Sequence, residues 1–556
     1  MMKRIAIFGA GIGGLTVAHQ LSKFPEYTID IYEKKDDIGG LARSQRDKDG
    51  CCMEYSWRVF FGFYNNLLRI LQEIPLISDP NKNVLNNLDI YRHINLSDST
   101  ISIKDKTIAI YNILYGICSC DNRLDELDNL KWWDALGLTS NSNVFREIGP
   151  WLGMSRYDGS YKSVIKVGFE MQILNTYLNP NYKDYVTTKS TSEAWFDNWK
   201  QYLINKGVKF HMETELMNVY IQNNKITSAT VHDDQKNNNY NVIADEYIFG
   251  IPVEMLDKII TNTPYLNYGQ LTNIKKLKDI SLHTQLGFQL YFNKQVSLGT
   301  DSLGKKNNAF LVVDSPWDLI ILSYDNLYKD TKLCSKLTNV KGGWSVVACT
   351  SYVNGIVYNK PMDQCNYDEI IKELWAQLIS SPKLKQLVKQ NNNFEFDEKI
   401  VVKFTPMWPT FNYNQSINKL ISSEPKFTNN AGTYALRPSF KTHIQNLYIS
   451  TAYTKEAIDI FSMEAACIAG KNVANAIDTR SPTSIMIKRP KLFEGFRSVD
   501  NALYNNKLPG VLPTLSVVVL ILLLLLFSVV PQSRIIIAIM LVILFISVYW
   551  MIYKVN

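Results

Sequence analysis

A glycine-rich turn close to the first residue constrains the fold of this chain more than any other feature. Lys3–Phe8 is basic and then continuously apolar, as expected of a strand buried on both faces of a parallel sheet. Gly9, Gly11, Gly13 and Gly14 follow, and apolar residues then recur at helical spacing. Strand, glycine turn and helix together predict a dinucleotide site. Gly9 permits the bend, Gly11 lets the backbone approach a pyrophosphate, and Gly14 lets the helix pack on the strand.

A second predicted strand strengthens this interpretation. "YTIDIYEKK" ends near Glu33, where a carboxylate can accept hydrogen bonds from a ribose 2′-hydroxyl. The same carboxylate would repel a 2′-phosphate, which disfavours NADP. The alternative is a secretory signal peptide, because two basic residues precede an apolar run. That alternative explains neither the second strand nor the lack of a cleavage-like site.

The next segment, "KKDDIGGLARS", indicates which dinucleotide is bound. A second glycine pair, Gly39-Gly40, is followed by Arg43, and here the chain resembles the flavoprotein superfamily of amine oxidases and phytoene desaturases. The resemblance implies that Gly40 continues an FAD site and that Arg43 lies against the cofactor. Taken alone, the same letters also fit a surface turn followed by a solvated arginine.

The resemblance recurs over roughly residues 1–478. In "STSEAWFDNWKQYLINKGVKFHMETELMNVYI" it implies that backbone near Leu216 holds the adenine. In "NLYISTAYTKEAIDIFSMEAACIAGKNVANAI" it implies a helix whose start points at the flavin, with Asp459 and Met463 in the site. No cysteine lies between Cys365 and Cys467, so the FAD is expected to be non-covalent. "WWDALG", "GPWLGM" and "DSPWDLIILS" most resemble the desaturase and hydroxysqualene dehydroxylase-like branch.

One departure from the family pattern concerns the end of the last strand. Where the family usually has Ala-Gly-Asp, this chain has Ser450-Thr451-Ala452, so a carboxylate that helps to bind FAD is absent. Losing one such hydrogen-bonding group costs about 1 to 3 kcal/mol. We therefore expect FAD to be bound, but less tightly.

The expected fold class is α/β. A Rossmann-type FAD-binding domain, a parallel sheet with helices, is interleaved with an α+β substrate domain, and a transmembrane helical hairpin follows. The FAD-binding domain is predicted to comprise residues 1–75, 191–260 and 431–480. The substrate domain is predicted to comprise 76–190 and 261–430, followed by a basic linker over 481–510 and two transmembrane helices within 511–553.

The C-terminal region predicts membrane attachment. Val511–Val530 and Ile535–Tyr553 carry no charge, and each is long enough to cross a bilayer. Basic residues precede the first run and Lys554 follows the second, which predicts a multi-pass anchor with the catalytic body on the cytoplasmic side. A non-spanning hairpin wedge is the alternative. The basic excess of the linker fits either contact with anionic lipid or ordinary solvation.

Composition excludes several classes of function. The net charge of +7 is modest for 556 residues and too diffuse to indicate nucleic-acid binding. The six histidines and eight cysteines show no metal-ligand spacing, so no metal site is expected. We interpret the cysteines as reduced thiols.

Three functions remain open at this stage. The first is a membrane-anchored FAD-dependent oxidoreductase that takes a hydride from a polyisoprenoid or related lipid. The second is an FAD-dependent amine oxidase acting on a small amine. The third is a binding or structural protein that kept the fold and lost turnover. The sequence identifies no catalytic side chain, electron acceptor or oligomeric state.

Overall fold

The architecture comes from a computed structural model of the chain. It describes residues 2–55, 58–94, 103–138, 157–283, 285–301, 303–312, 314–325, 327–328, 332–350, 352–406, 411–455, 458–485 and 489–529. The side chains of 406 and 523–529 are outside this description.

The strands, in chain order, are β1 Lys3–Phe8, β2 Tyr27–Tyr32, β3 Ser44–Arg46, β4 Cys52–Glu54, β5 Pro75–Leu76, β6 Asp79–Asn83, β7 Leu88–Ile90, β8 His93–Ile94, β9 Tyr185–Thr187, β10 Lys209–His211, β11 Thr214–Gln222, β12 Lys225–Asp233, β13 Asn238–Val242, β14 Glu246–Phe249, β15 Leu282–His283, β16 Leu286–Phe292, β17 Ala309–Val312, β18 Leu319–Ser323, β19 Gly342–Ala348, β20 Val401–Pro406, β21 Phe411–Asn414, β22 Lys419–Ser422, β23 Lys426–Phe427 and β24 Leu447–Ile449.

The α-helices are α1 Ile12–Leu21, α2 Asn65–Glu73, α3 Ile103–Cys118, α4 Asp121–Glu126, α5 Trp132–Ala135, α6 Tyr161–Ser163, α7 Leu174–Leu178, α8 Asp197–Asn205, α9 Val253–Asn262, α10 Ile274–Ser281, α11 Tyr367–Ser380, α12 Pro382–Asn392, α13 Met463–Ile477, α14 Glu494–Asn505 and α15 Val511–Val529. Two π-helical segments, Val164–Ile173 and Ser192–Phe196, adjoin α6 and α8.

A five-stranded parallel sheet carries the glycine turn, in the order β10-β2-β1-β14-β24. Side chains alternate across it, as the period of a strand requires. Ile5 and Ile7 enter the core shared with helices α1 and α13, whereas Ala6 and Phe8 enter the core shared with the antiparallel strands β11, β12 and β13. The predicted α/β Rossmann-type fold with a parallel sheet is thereby confirmed.

A second sheet of six strands, β20-β16-β19-β18-β17-β8, stands apart from the first. One face packs on α11 and α12 through a large apolar core. Residues that alternate with that core point to the opposite face, where they form a smaller buried cluster. This cluster consists of Leu311, Ile320, Val347 and Cys349. The domain boundaries given above stay a prediction.

In the segment predicted as a linker, the described residues 481–485 and 489–510 pack on the rest of the fold. Asp500, at the middle of α14, is buried and accepts hydrogen bonds from the Cys120 amide (2.8 Å) and from Arg123 Nε (3.0 Å). Arg489 and Arg497 form ion pairs with the buried Glu170. Arg489 and Arg497 therefore pair with a carboxylate of the protein itself, although the sequence suggested contact with lipid or solvent for the basic residues of this segment.

The prediction of a multi-pass C-terminal anchor is wrong. The first predicted span coincides with α15, and the second, 535–553, lies outside the described residues. Among the residues that were described, no helix has the length and hydrophobicity needed to cross a bilayer. The predicted placement of the catalytic body on the cytoplasmic side depended on that anchor and is not supported either.

The cysteines also differ from expectation. Cys51 and Cys334 are adjacent in an antiparallel bridge and form a disulfide, although 283 positions separate them in the sequence. The other six cysteines are buried free thiols. The interpretation of all eight as reduced thiols is therefore wrong for this pair, because only the tertiary fold brings the two together.

Candidate cofactor and substrate site

The site lies where the carboxyl ends of three adjacent parallel strands meet. Gly9 follows β1, Gly250 follows β14, and Ser450 follows β24. Gly9 has φ = 101°, and a Cβ atom there would lie 2.4 Å from the Gly250 carbonyl oxygen. Only glycine fits this bend. In open α/β sheets, ligands bind outside the carboxyl ends of the strands.

The other three glycines of the turn have different neighbours. A Cβ at Gly14 would lie 2.2 Å from the Gly9 carbonyl oxygen, so Gly14 allows α1 to pack on β1. A Cβ at Gly13 would lie 1.9 Å from the Ser450 carbonyl oxygen. A Cβ at Gly11 would lie 3.9 Å from its nearest neighbour, the Gly250 carbonyl oxygen, and Gly11 lines the cavity. A side chain at Gly11 would therefore fill open space at the start of α1, where the first backbone N–H groups lack helical partners.

Glu33 is anchored beside this turn. Its carboxylate accepts hydrogen bonds from the Ala10 amide (2.7 Å) and the Lys35 amide (3.0 Å). Burial raises the pKa of Glu33, and the two backbone bonds oppose that rise. Because an ionised carboxylate offers about four acceptor positions, Glu33 retains capacity for ribose hydroxyls.

The loop from Gly39 to Arg43 closes one side of the cavity. The Gly39 amide donates to the Ala10 carbonyl (2.8 Å), and Gly39 and Gly40 both have positive φ. Arg43 is buried and donates to the Gly40 carbonyl (2.8 Å). It also forms an ion pair with Glu424 (3.0 Å), which comes from a distant part of the sequence. Glu424 therefore ties the segment before β23 to the glycine loop.

Eight of the ten predicted site residues line one continuous cavity of about 490 Å³, namely Gly9, Gly11, Gly13, Glu33, Gly40, Arg43, Leu216 and Met463. Gly14 lies behind the turn. Asp459 does not line the cavity, because it is buried between Lys166 (3.3 Å) and Lys162 (3.7 Å). Although burial acts in the opposite direction, these two ammonium groups hold the pKa of Asp459 below its ordinary value. The prediction that Asp459 contacts the cofactor therefore has no support from its position.

Much of the cavity wall is apolar. Ile320, Val347 and Cys349 of the six-stranded sheet form part of its wall, and Phe427 and Tyr453 also line it. The cavity is thus lined by the glycine turn of one sheet and by residues on the apolar face of the other. A cavity of this size, largely apolar with a few polar groups, is typical of a small-molecule site.

Among the ionisable cavity residues that sequence reasoning missed, Lys426 and Glu254 have shifted pKa values. Lys426 donates to Gln285 Oε1 (2.5 Å), and burial lowers its pKa to about 8. Glu254 lies in the first turn of α9, and burial raises its pKa to about 7. Neither residue belongs to a recognisable motif, so no local signal in the sequence could have identified them.

The residues present fit a dinucleotide. The open space at Gly11 admits close approach of a ligand to the backbone. Ser450 and Thr451, directly after β24, also line the cavity beside this turn.

Comparison with known proteins agrees with this geometry. Residues 7–74 match the family described as NAD(P)-binding Rossmann-like domain. The zeta-carotene desaturase of Solanum lycopersicum is 22% identical over 539 residues, which covers 88% of this chain and 83% of the relative. The 15-cis-phytoene desaturase of Synechococcus elongatus is 38% identical over 73 residues, covering 13% of this chain and 15% of the relative.

Two solved structures show the same fold. One is a putrescine oxidase bound to putrescine, with a TM-score of 0.57 and 12% identity, covering 86% of this chain and 100% of that chain. The other is a putative protoporphyrinogen oxidase from Exiguobacterium, with a TM-score of 0.53, 12% identity and the same coverage. Its motifs, its relatives and its fold together support the superfamily of FAD-dependent amine oxidases and phytoene desaturases.

Proposed function

We propose that this protein is an FAD-dependent oxidoreductase that removes a hydride from a lipid-like substrate, a polyisoprenoid or a related hydrocarbon. The observation that carries the proposal is a cavity whose wall includes both the glycine turn and the apolar residues Ile320 and Val347. The desaturases that align with most of this chain are named for a polyisoprenoid, zeta-carotene, which supports the same substrate class.

Different residues of the chain would contact different parts of the bound FAD. The backbone around Gly11 and the start of α1 would hold the pyrophosphate of non-covalent FAD, and Glu33 would accept hydrogen bonds from the adenosine ribose. Arg43, Leu216 and Met463 line the same cavity and would contact the cofactor along its length. When bound, FAD supplies a ring that accepts a hydride from carbon.

The apolar wall would bind and orient the substrate. Ile320 and Val347 are buried and present only hydrocarbon to the cavity, so they favour an apolar chain and exclude water. Fixing the reacting carbon in this way lowers the entropic part of the barrier. Formation of the double bond also releases one proton from the neighbouring carbon, and we assign no acid–base residue to that loss.

An amine oxidase is the second candidate, and Glu254 favours it because a carboxylate at the cavity wall can pair with a substrate ammonium. Lys426 argues against it. With a pKa of about 8, its ammonium is mostly protonated at neutral pH and repels a cationic amine in the same cavity.

The test is an aerobic substrate panel with purified protein reconstituted with FAD. Polyisoprenoid hydrocarbons in detergent and a set of primary and secondary amines would be incubated separately. Product extracts would be analysed for new carbon–carbon double bonds and for released aldehyde. Double-bond formation supports the proposal. Aldehyde formation from amines, or a protein that takes up no FAD, contradicts it.

A further inference from the structure

The proposed reaction removes a proton as well as a hydride from the substrate. The hydride passes to FAD, and the electron pair of a second C–H bond, on the neighbouring carbon, becomes the new double bond, so that carbon releases a proton. We propose that the side-chain amine of Lys426 accepts this proton and is the catalytic base of the reaction. The inference rests on the function proposed above and adds to it the fate of the proton.

Lys426 differs from the other cavity lysines in its partners. Three lysines line the cavity in the part of the chain that the structure describes. Lys34 and Lys35 each form an ion pair with a carboxylate, which for Lys35 is that of Glu424 (3.8 Å). Lys426 instead donates to a neutral amide, Gln285 Oε1 (2.5 Å), and has no carboxylate partner among the described residues. An ammonium in a partly buried site without a counter-ion is destabilised, so the neutral amine is favoured there.

The contacts of Gln285 place this amine beside the apolar wall. Gln285 is buried, and while its amide oxygen accepts from Lys426, its amide nitrogen donates to the Cys349 carbonyl (3.3 Å). Cys349 belongs to the same apolar cluster as Ile320 and Val347, and all three line the cavity together with Lys426. The amine therefore lies one side chain away from the wall that would orient the hydrocarbon.

The neutral amine of Lys426 has the capacity to take a proton. With one N–H donated to Gln285, its lone pair has no donor among the described residues. Burial lowers the pKa of Lys426 to about 8, so about half of the molecules carry the neutral form at that pH. Loss of the hydride leaves positive charge on the substrate, which a neutral amine does not repel and an ammonium does. Gln285 acts here as a positioning residue.

Four other charged or titratable groups lie near Lys426. His283 is its direct partner across the β15–β23 pair but does not line the cavity, and burial lowers the pKa of His283. Burial raises the pKa of the Cys349 thiol to about 12, and the Arg58 guanidinium stays protonated, so neither changes charge near pH 8. Glu254, whose pKa is raised to about 7, also lines the cavity and is the competing base.

The kinetic test follows anaerobic reduction of bound FAD by a polyisoprenoid hydrocarbon between about pH 6 and about pH 10. The rate in the wild type should rise with pH, with a midpoint near 8. Lys426→Met removes the base, and Lys426→Arg keeps the charge but cannot accept a proton. Each should lower the rate at about pH 9 by about 100-fold or more and abolish the midpoint, while the Kd for FAD stays within about twofold of the wild type.

Two control variants separate Lys426 from its neighbours. His283→Asn should keep both the rate and the midpoint near 8, because His283 does not line the cavity. Glu254→Gln should keep the midpoint. If Glu254→Gln loses the midpoint and Lys426→Met keeps it, Glu254 is the base and the inference is overturned.

Acylation of lysines provides a readout that does not depend on turnover. Protein carrying FAD would be treated with an acid anhydride over the same pH range, with and without the polyisoprenoid, and the modified lysines located by mass spectrometry. Acylation of Lys426 should have a midpoint near 8, and the polyisoprenoid should slow it by about tenfold. The exposed Lys276 should react equally with and without the polyisoprenoid. A Lys426 that is never acylated, or that the polyisoprenoid does not protect, would show that its amine does not face the substrate and would overturn the inference.

Failure of this inference and failure of the proposed function give different results. If the polyisoprenoid reduces the flavin of the wild type, and of Lys426→Met and Lys426→Arg at the same rate and with the same pH dependence, the inference is overturned and the proposed function stands. If the polyisoprenoid does not reduce the flavin of the wild type at any pH, the proposed function fails, and the inference fails with it.

Discussion

Two single-methyl substitutions in the glycine turn should have opposite consequences. Gly11 has φ = −73° and ψ = 173°, a conformation that alanine adopts readily, and the nearest atom to an added Cβ is 3.9 Å away. Gly11→Ala should therefore fold, with a free energy of unfolding unchanged or raised by about 0.4 to 1 kcal/mol. Gly13→Ala would place its Cβ 1.9 Å from the Ser450 carbonyl oxygen, so it should destabilise the fold by about 1 to 3 kcal/mol or more.

The two variants should also differ from the wild type in their response to FAD. In Gly11→Ala the methyl occupies space that the pyrophosphate needs, so the Kd for FAD should rise by at least about tenfold, or about 1.4 kcal/mol. At an FAD concentration of about 100 times the Kd, the wild type gains about 2.7 kcal/mol of stability. Gly11→Ala should lose much of that gain at the same concentration.

Thermal unfolding with and without FAD measures both effects in one assay. Wild type should melt higher with FAD, Gly11→Ala should melt normally with a much smaller shift, and Gly13→Ala should melt lower in both conditions. The reasoning is refuted if Gly11→Ala binds FAD as tightly as the wild type. It is also refuted if Gly13→Ala is as stable as the wild type.

Three further outcomes follow from buried groups. The pKa of Lys426 in the folded chain is about 8, below the usual lysine value near 10.4. Between these two pH values the unfolded chain binds more protons at Lys426 than the folded chain does. The free energy of unfolding should therefore rise with pH across that window. Lys426→Met should flatten this rise in urea titrations, and an unchanged slope would contradict the assignment. Asp500→Ala should lower the free energy of unfolding by about 3 kcal/mol, because it leaves buried donors unpaired, whereas Glu494→Ala should have little effect. Alkylation of the denatured chain should label six cysteines before reduction and all eight after it, and eight labels without reductant would exclude the Cys51–Cys334 disulfide.

The parts of the site that sequence could predict are those encoded locally. The glycine turn and Glu33 belong to neighbouring strand ends, and their spacing alone brings them together. The buried parallel strand was predictable for the same reason, since Lys3–Phe8 is a short apolar run with glycines directly after it.

The parts that sequence missed depend on distant contacts. Glu424 reaches Arg43 across 381 positions, and Cys51 reaches Cys334 across 283. Asp459 kept its place in the motif, and nothing in the sequence indicates that Lys162 and Lys166, from the segment around α6, pair with it. Hydropathy near the C-terminus predicted two membrane spans, yet within the described ranges no helix meets the requirement for one.

The most direct test of the central claim is anaerobic reduction of the bound flavin. Wild-type protein carrying FAD would be mixed, without oxygen, with a polyisoprenoid hydrocarbon or with an amine, and the flavin absorbance would be followed. The account predicts that the polyisoprenoid bleaches the flavin, with one double bond formed for each flavin reduced, and that amines leave it oxidised. Bleaching by amines with no response to any polyisoprenoid would contradict the account.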